Sequence, residues 1–170
     1  MRTGIRINFD RNYGILIFLE VKTSTIRLEK KASKNDYVIL TLDEKDFAEA
    51  RVTDVIDINV SGITKKVALE DGFLTVYALK KTLKKYYPDI TDETVVYQIK
   101  FSIEKILNLS LIEKDIINLC NIAIRQGFLS EDEKDILKRV LNEGIESLSD
   151  DILKELKGIL RKVYLKLVSE

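Results

Sequence analysis

The sequence predicts an α+β protein, a strand-rich amino-terminal half followed by an all-α carboxy-terminal module of about three helices. Three observations carry this. Alternating, β-branched stretches cluster before residue 103, and after it the hydrophobic period becomes helical. The chain, at 170 residues with 45% apolar and 33% charged, is also long enough to bury a core without disulfide support. The expected units are residues 1–103, closing a core of their own, and residues 104–170.

The first half reads as strands at Tyr37–Leu42, 47–56 and 94–103, the last placing Val95, Tyr97, Ile99 and Phe101 on one face. Asp43-Glu44-Lys45-Asp46 is short, polar and acidic, which suits a tight antiparallel hairpin. One helix lies among these strands. Thr75 stands as its cap, Val76, Leu79, Leu83, Tyr86 and Tyr87 fall within an arc of about 100°, and Pro88 ends it. The opposite face carries Lys80, Lys81, Lys84 and Lys85, with no acid between Asp71 and Asp89. That face reads either as solvated surface or as a set of phosphate contacts.

Beyond residue 103, Ser110-Leu111-Ile112-Glu113 and Ser130-Glu131-Asp132-Glu133 have the form of capping boxes, and Gly127 and Gly144 stand where helices end. Helices are expected near 111–126, 131–143 and 150–168. The last carries Ile152, Leu156, Ile159, Leu160, Val163 and Leu167 on one stripe. These stripes could pack on each other, on the strand-rich half, or on a second copy as a homodimer through the helical tail. Cys120, among Ile116, Ile117, Ala123 and Ile124, reads as a small buried hydrophobe. The acids from Glu131 to Asp135 lack the alternation and central Gly of a calcium loop and suit a helix start.

Composition excludes several function classes. With one Cys and no His, the usual zinc constellations, intramolecular disulfides and His-based triads are out, so no metal and no cofactor is expected. Lys plus Arg is 28 and Asp plus Glu is 28, so any attraction for a polyanion must be local. No apolar run reaches membrane-spanning length and Met1 to Arg6 lacks a signal-peptide core, which predicts a cytoplasmic protein without a membrane partner. The Lys, Glu and Ile bias leans toward a thermophile composition, and genomic nucleotide bias produces the same pattern.

The segment richest in chemistry is Lys22-Thr23-Ser24-Thr25-Ile26-Arg27-Leu28. As a strand it points Thr23, Thr25 and Arg27 to one side and Lys22, Ser24 and Ile26 to the other, unless an irregular lead-in frees Lys22. It is followed in order by a hairpin, Ile63-Thr64, Leu69-Glu70-Asp71-Gly72-Phe73, the lysine helix ending Tyr86-Tyr87-Pro88, and Val95-Val96-Tyr97-Gln98-Ile99-Lys100-Phe101. This succession, over about residues 5–103, resembles the ASCH (activating signal cointegrator homology) domain of the PUA-like superfamily.

The resemblance implies a small, strongly curved β-barrel with packed helices and a cleft facing the Lys-Thr-Ser-Thr-Ile-Arg strand. A lead-in helix is implied near residues 11–19, where Tyr13-Gly14-Ile15-Leu16-Ile17-Phe18-Leu19 reads equally as a buried strand. The implied function is recognition of RNA or a modified nucleoside. Lys22, Thr23, Thr25 and Arg27 would line the pocket, and Lys80, Lys81, Lys84 and Lys85 would meet phosphates if their face borders it. In the enzymatic members that the chain resembles, amidohydrolases of N4-acylated cytidines, the catalytic Lys, Thr and acid fall on Lys22, Thr25 and Asp71. That chemistry is coherent: a desolvated lysine can serve as base for a threonine hydroxyl, and an acid can orient it. Asp71 is one methylene shorter than the glutamate of those enzymes, with Glu70 beside it, and Glu20 stands where glycine is usual. A third reading is a non-catalytic protein that dimerises through its tail.

Overall fold

A computed structural model describes all 170 residues. Five strands form one sheet in the order β1-β3-β4-β5-β2: β1 (Ile5–Phe9), β2 (Ser24–Arg27), β3 (Tyr37–Leu42), β4 (Lys45–Asn59) and β5 (Val95–Ile106). Only the β1–β3 pair is parallel. The register slips at Leu40/Thr41, Glu49/Ala50 and Val52/Asp54, and such bulges bend and twist the strands that contain them. The implied barrel is therefore realised as a curled half-barrel, open between its edge strands β1 and β2. The β3–β4 hairpin turns through Asp43 and Glu44 at φ 45° and 69°, the left-handed pair that a two-residue hairpin requires.

Six α-helices accompany the sheet: α1 (Gly14–Phe18), α2 (Lys65–Glu70), α3 (Val76–Tyr86), α4 (Glu113–Ala123), α5 (Glu131–Glu143) and α6 (Asp150–Ser169). The ambiguous apolar run at 13–19 is helical, with Ile17, Phe18 and Leu19 buried. Thr64 and Thr75 cap α2 and α3 through the N–H groups of Val67 and Ala78. The Ser130/Glu133 capping box forms as its spacing predicts. The Ser110/Glu113 box does not. A 3-10 turn buries Ile112, α4 starts only at Glu113, and the Ser110 hydroxyl bonds the Asn108 side chain.

The period change at residue 103 marks a change of secondary structure, not a gap between cores. β5 runs on to Ile106, and one cluster of 27 buried residues joins Ile7, Leu40, Phe47 and Ile99 of the sheet to Ile116, Leu137, Leu156 and Leu160 of α4–α6. The stripe of α6 is thus used within the chain: Leu156, Ile159, Leu160 and Val163 are buried. Cys120 belongs to the same cluster, and burial pushes its thiol up to about 12, leaving it protonated and unreactive. A second cluster of eight residues, among them Ile26, Ala68, Leu79 and Leu83, seats α2 and α3 on the sheet. No helix is long and apolar enough to cross a membrane.

Candidate functional site

The cleft opens where the half-barrel is open. Arg27 on edge strand β2 donates through Nη2 to the Asn8 carbonyl on edge strand β1 at 2.6 Å, bridging the two edges, and its guanidinium lies 5.1 Å from the Phe9 ring centre. Beside this bridge lies a hollow of about 270 Å³ between the two apolar clusters, with Phe9 on one flank and Ile26, Leu79 and Leu83 on the other. Its rings are Phe9, Tyr13, Phe73, Tyr86 and Tyr87, and its charged side chains are Asp10, Lys22, Arg27 and Asp71.

Lys22 reaches this hollow because the chain is irregular just before β2. After α1, Glu20 takes φ 57°, in the left-handed region that favours glycine. The N–H groups of Val21 and Lys22 then both bond the Leu16 carbonyl, each at 3.0 Å. Strand alternation begins only at Ser24, so Lys22 and Arg27 share the cleft despite their opposite parity. The Lys22 amine donates to the Asp71 carbonyl at 2.8 Å and pairs with the Asp71 carboxylate, 4.9 Å from the Tyr13 ring centre. Both residues are only 3% exposed.

Burial pushes Lys22 below the ordinary lysine value and Asp71 above the ordinary carboxylate value, while their mutual attraction opposes both shifts. Asp71 ends α2, and Gly72 follows at φ 87°. A Cβ on Gly72 would stand 3.4 Å from Lys22 Cβ, so glycine serves both the turn and the close passage of the lysine stem.

Of the residues singled out from the sequence, Lys22, Asp71 and Arg27 meet in the cleft. Thr25 does not line it: its hydroxyl accepts from Arg27 Nε at 3.1 Å and makes no hydrogen bond with Lys22 or Asp71. Thr23 lines a separate hollow with Glu20 and Arg161. Glu70 points away from the cleft, accepting from Gln98 Nε2 at 2.9 Å and pairing with Lys100 at 3.3 Å, which leaves Asp71 as the acid paired with Lys22. None of the four lysines lines the cleft, because α3 presents Leu79, Thr82, Leu83 and Tyr86 to it.

Sequence reasoning missed Asn8, Asp10, Tyr13 and Phe73. Tyr86 donates to Asp10, joining α3 to the segment after β1, and this bond is the main cause that raises the phenol above its ordinary value. Asn8 gave no local signal, since it holds an ordinary polar position in the alternating strand β1.

No protein-family model and no curated protein sequence matches the chain. Solved structures do. The ASCH domain from Lactobacillus crispatus JV V101 is similar at a TM-score of 0.50 and 13% identity, covering 60% of this chain and 78% of that one. A DUF984-family protein from Enterococcus faecalis V583 gives 0.50 at 16% identity, covering 64% and 84%. A hypothetical protein, PH0355, gives 0.50 at 17%, covering 61% of this chain and all of the other. Identities this low speak for the fold alone, and they agree with the motif order along residues 5–103: the chain has an ASCH-like fold.

Proposed function

We propose that the cleft binds the base of a modified nucleoside, free or within RNA. One observation carries this reading: a ring-lined hollow holds a balanced set of charges together with unused hydrogen-bonding atoms, among them an acceptor on Asp71 and a donor on Arg27. Lys22 and Arg27 are offset by Asp71 and Asp10, so the site favours a neutral heterocycle over a phosphate. Asp71 Oδ2 and Arg27 Nη1 make no hydrogen bond within the chain, whereas their neighbouring atoms are taken. An acceptor beside a donor, between aromatic walls, complements the edge and faces of a nucleobase. The volume of about 270 Å³ lies near the low end for small-molecule sites, which suits a single base with its sugar.

Calorimetric titration with nucleosides, N4-acylcytidines among them, and with their 5′-monophosphates tests the reading. Binding of an uncharged nucleoside that Asp71→Asn weakens at least tenfold is the expected result. Monophosphate binding that Asp71→Asn leaves unchanged, or no binding of any ligand, would sink it.

A second reading is hydrolysis of an N4-acylated cytidine, and the burial of Lys22 favours it, since desolvation lowers the lysine below its ordinary value, in the direction a base requires. The reading requires the Thr25 hydroxyl to leave Arg27 and turn into the cleft. Acyl release that Thr25→Val abolishes with the fold intact would establish it. Turnover unaffected by that change would exclude Thr25 as the nucleophile, and no turnover leaves binding as the function.

A further inference from the structure

The outward face of α3 carries positive charge that no acid of the chain neutralises by an ion pair. Lys80, Lys81, Lys84 and Lys85 form no ion pair, and α3 itself contains no acid. Lys84 donates to the Ile90 carbonyl at 3.0 Å, and Asp92 shares a shallow hollow with Lys80 and Lys84 without pairing to either. Two like-charged pairs at i,i+4 spacing, Lys80/Lys84 and Lys81/Lys85, repel and cost the helix a few tenths of a kcal/mol each.

Within the arc that these lysines span, at 100° per residue, lies Tyr77, which is 75% exposed. Its ring, the four lysines and Thr82 line one open hollow of about 630 Å³. Thr82 also lines the cleft, so the basic face and the cleft adjoin across a single residue of α3.

We propose that this face is a platform for single-stranded nucleic acid. Its lysines meet successive phosphates, the Tyr77 ring stacks on a base, and a neighbouring base passes over Thr82 into the cleft. Unpaired cations around an exposed aromatic ring are what a flexible polyanion with stackable bases requires. The inference rests on the base-binding reading of the cleft and narrows it: the ligand is a base within a strand. The cleft accommodates the neutral base and the platform supplies the phosphate contacts that the balanced cleft lacks.

Fluorescence anisotropy of a labelled single-stranded RNA decamer with the full chain tests this, with nucleoside titration of the cleft in parallel. Each phosphate contact adds about 0.7 to the slope of log affinity against log salt. Changing all four lysines to Gln is expected to lower that slope by up to about 3, and Tyr77→Ser to weaken the decamer about tenfold. Both variants should keep wild-type nucleoside binding and a cooperative melt, since the altered side chains lie outside the buried clusters. An unchanged slope and unchanged decamer affinity overturn the platform. So does binding to vesicles containing phosphatidylserine without binding to the decamer. Nucleoside binding with no decamer binding sinks the platform alone, and failure of both ligands sinks the cleft reading with it.

Discussion

Replacing Lys22 by Met tests the central contact of the site. Met keeps most of the apolar stem beside Phe9 and Tyr13 but removes the ammonium, leaving the Asp71 carboxylate buried without its partner. Breaking a buried pair from one side costs about 3–5 kcal/mol. The carboxyl can relieve part of this by holding a proton, since burial already raises its pKa and the main opposing attraction is gone. A folded pKa above the unfolded value of about 3.9 means that below this value both states are protonated and the loss is smallest. As pH rises toward the folded value, only the unfolded state ionises, so stability falls by about 1.4 kcal/mol per pH unit and then levels off. Urea unfolding at pH 4.5, 6.0 and 7.5 should therefore show Lys22→Met losing more as pH rises. Lys22→Met with Asp71→Leu should recover most of the loss, because apolar side chains can replace a buried pair. A single variant within about 1 kcal/mol of wild type at every pH, or a double variant no better than the single one, would refute the reasoning.

Three further outcomes follow from packing and hydrogen bonding. A Cβ on Gly14 would stand 2.5 Å from Leu42 Cδ1 and 2.6 Å from Ile112 Cγ2, so Gly14→Ala should cost about 1–3 kcal/mol by overpacking in thermal unfolding; an unchanged melt would show that this seam yields. Asp36, buried, accepts from Ser33 N at 2.9 Å, Arg2 N at 2.7 Å and Arg2 Nε at 3.1 Å, and the Ser33 amide is the first cause holding its carboxyl below the ordinary range. Its stabilisation is complete above the unfolded carboxylate value of about 3.9 and is lost as pH falls through the lower folded value. Asp36→Ala should cost about 1–3 kcal/mol at neutral pH and less in acid, and a pH-independent loss would contradict the assignment. Ending the chain at Ile106 strips Ile116, Leu137, Leu156 and Leu160 from the shared core, so the fragment should bind the apolar dye ANS and lack a cooperative melt; a sharp melt would show that the half-barrel stands alone.

What the sequence alone determined is what neighbouring residues decide between themselves. Alternation placed β3 at Tyr37–Leu42, the acidic turn placed the hairpin, and Thr75 and Ser130 placed the starts of α3 and α5, because period and capping act within a few residues. Where burial competed with a local cap, as when Ile112 went into the core and Ser110 lost its capping role, the local signal misled. The ordered motifs also carried the fold type, since they sample the whole half-barrel.

Only the tertiary structure decided which side chains share the cleft. Lys22 and Asp71 are 49 positions apart, and their pairing depends on an irregular turn at Glu20 and on where α2 ends against it. Adjacent acids diverged, Asp71 into the cleft and Glu70 to Gln98 and Lys100, because successive residues at a helix end point about 100° apart. The Thr25 hydroxyl is instead taken by Arg27, and the docking of α3 keeps its four lysines out of the cleft lining. A helix's own period tells which face is buried, but which of its remaining flanks meets a cavity depends on how it docks against strands far away in the chain.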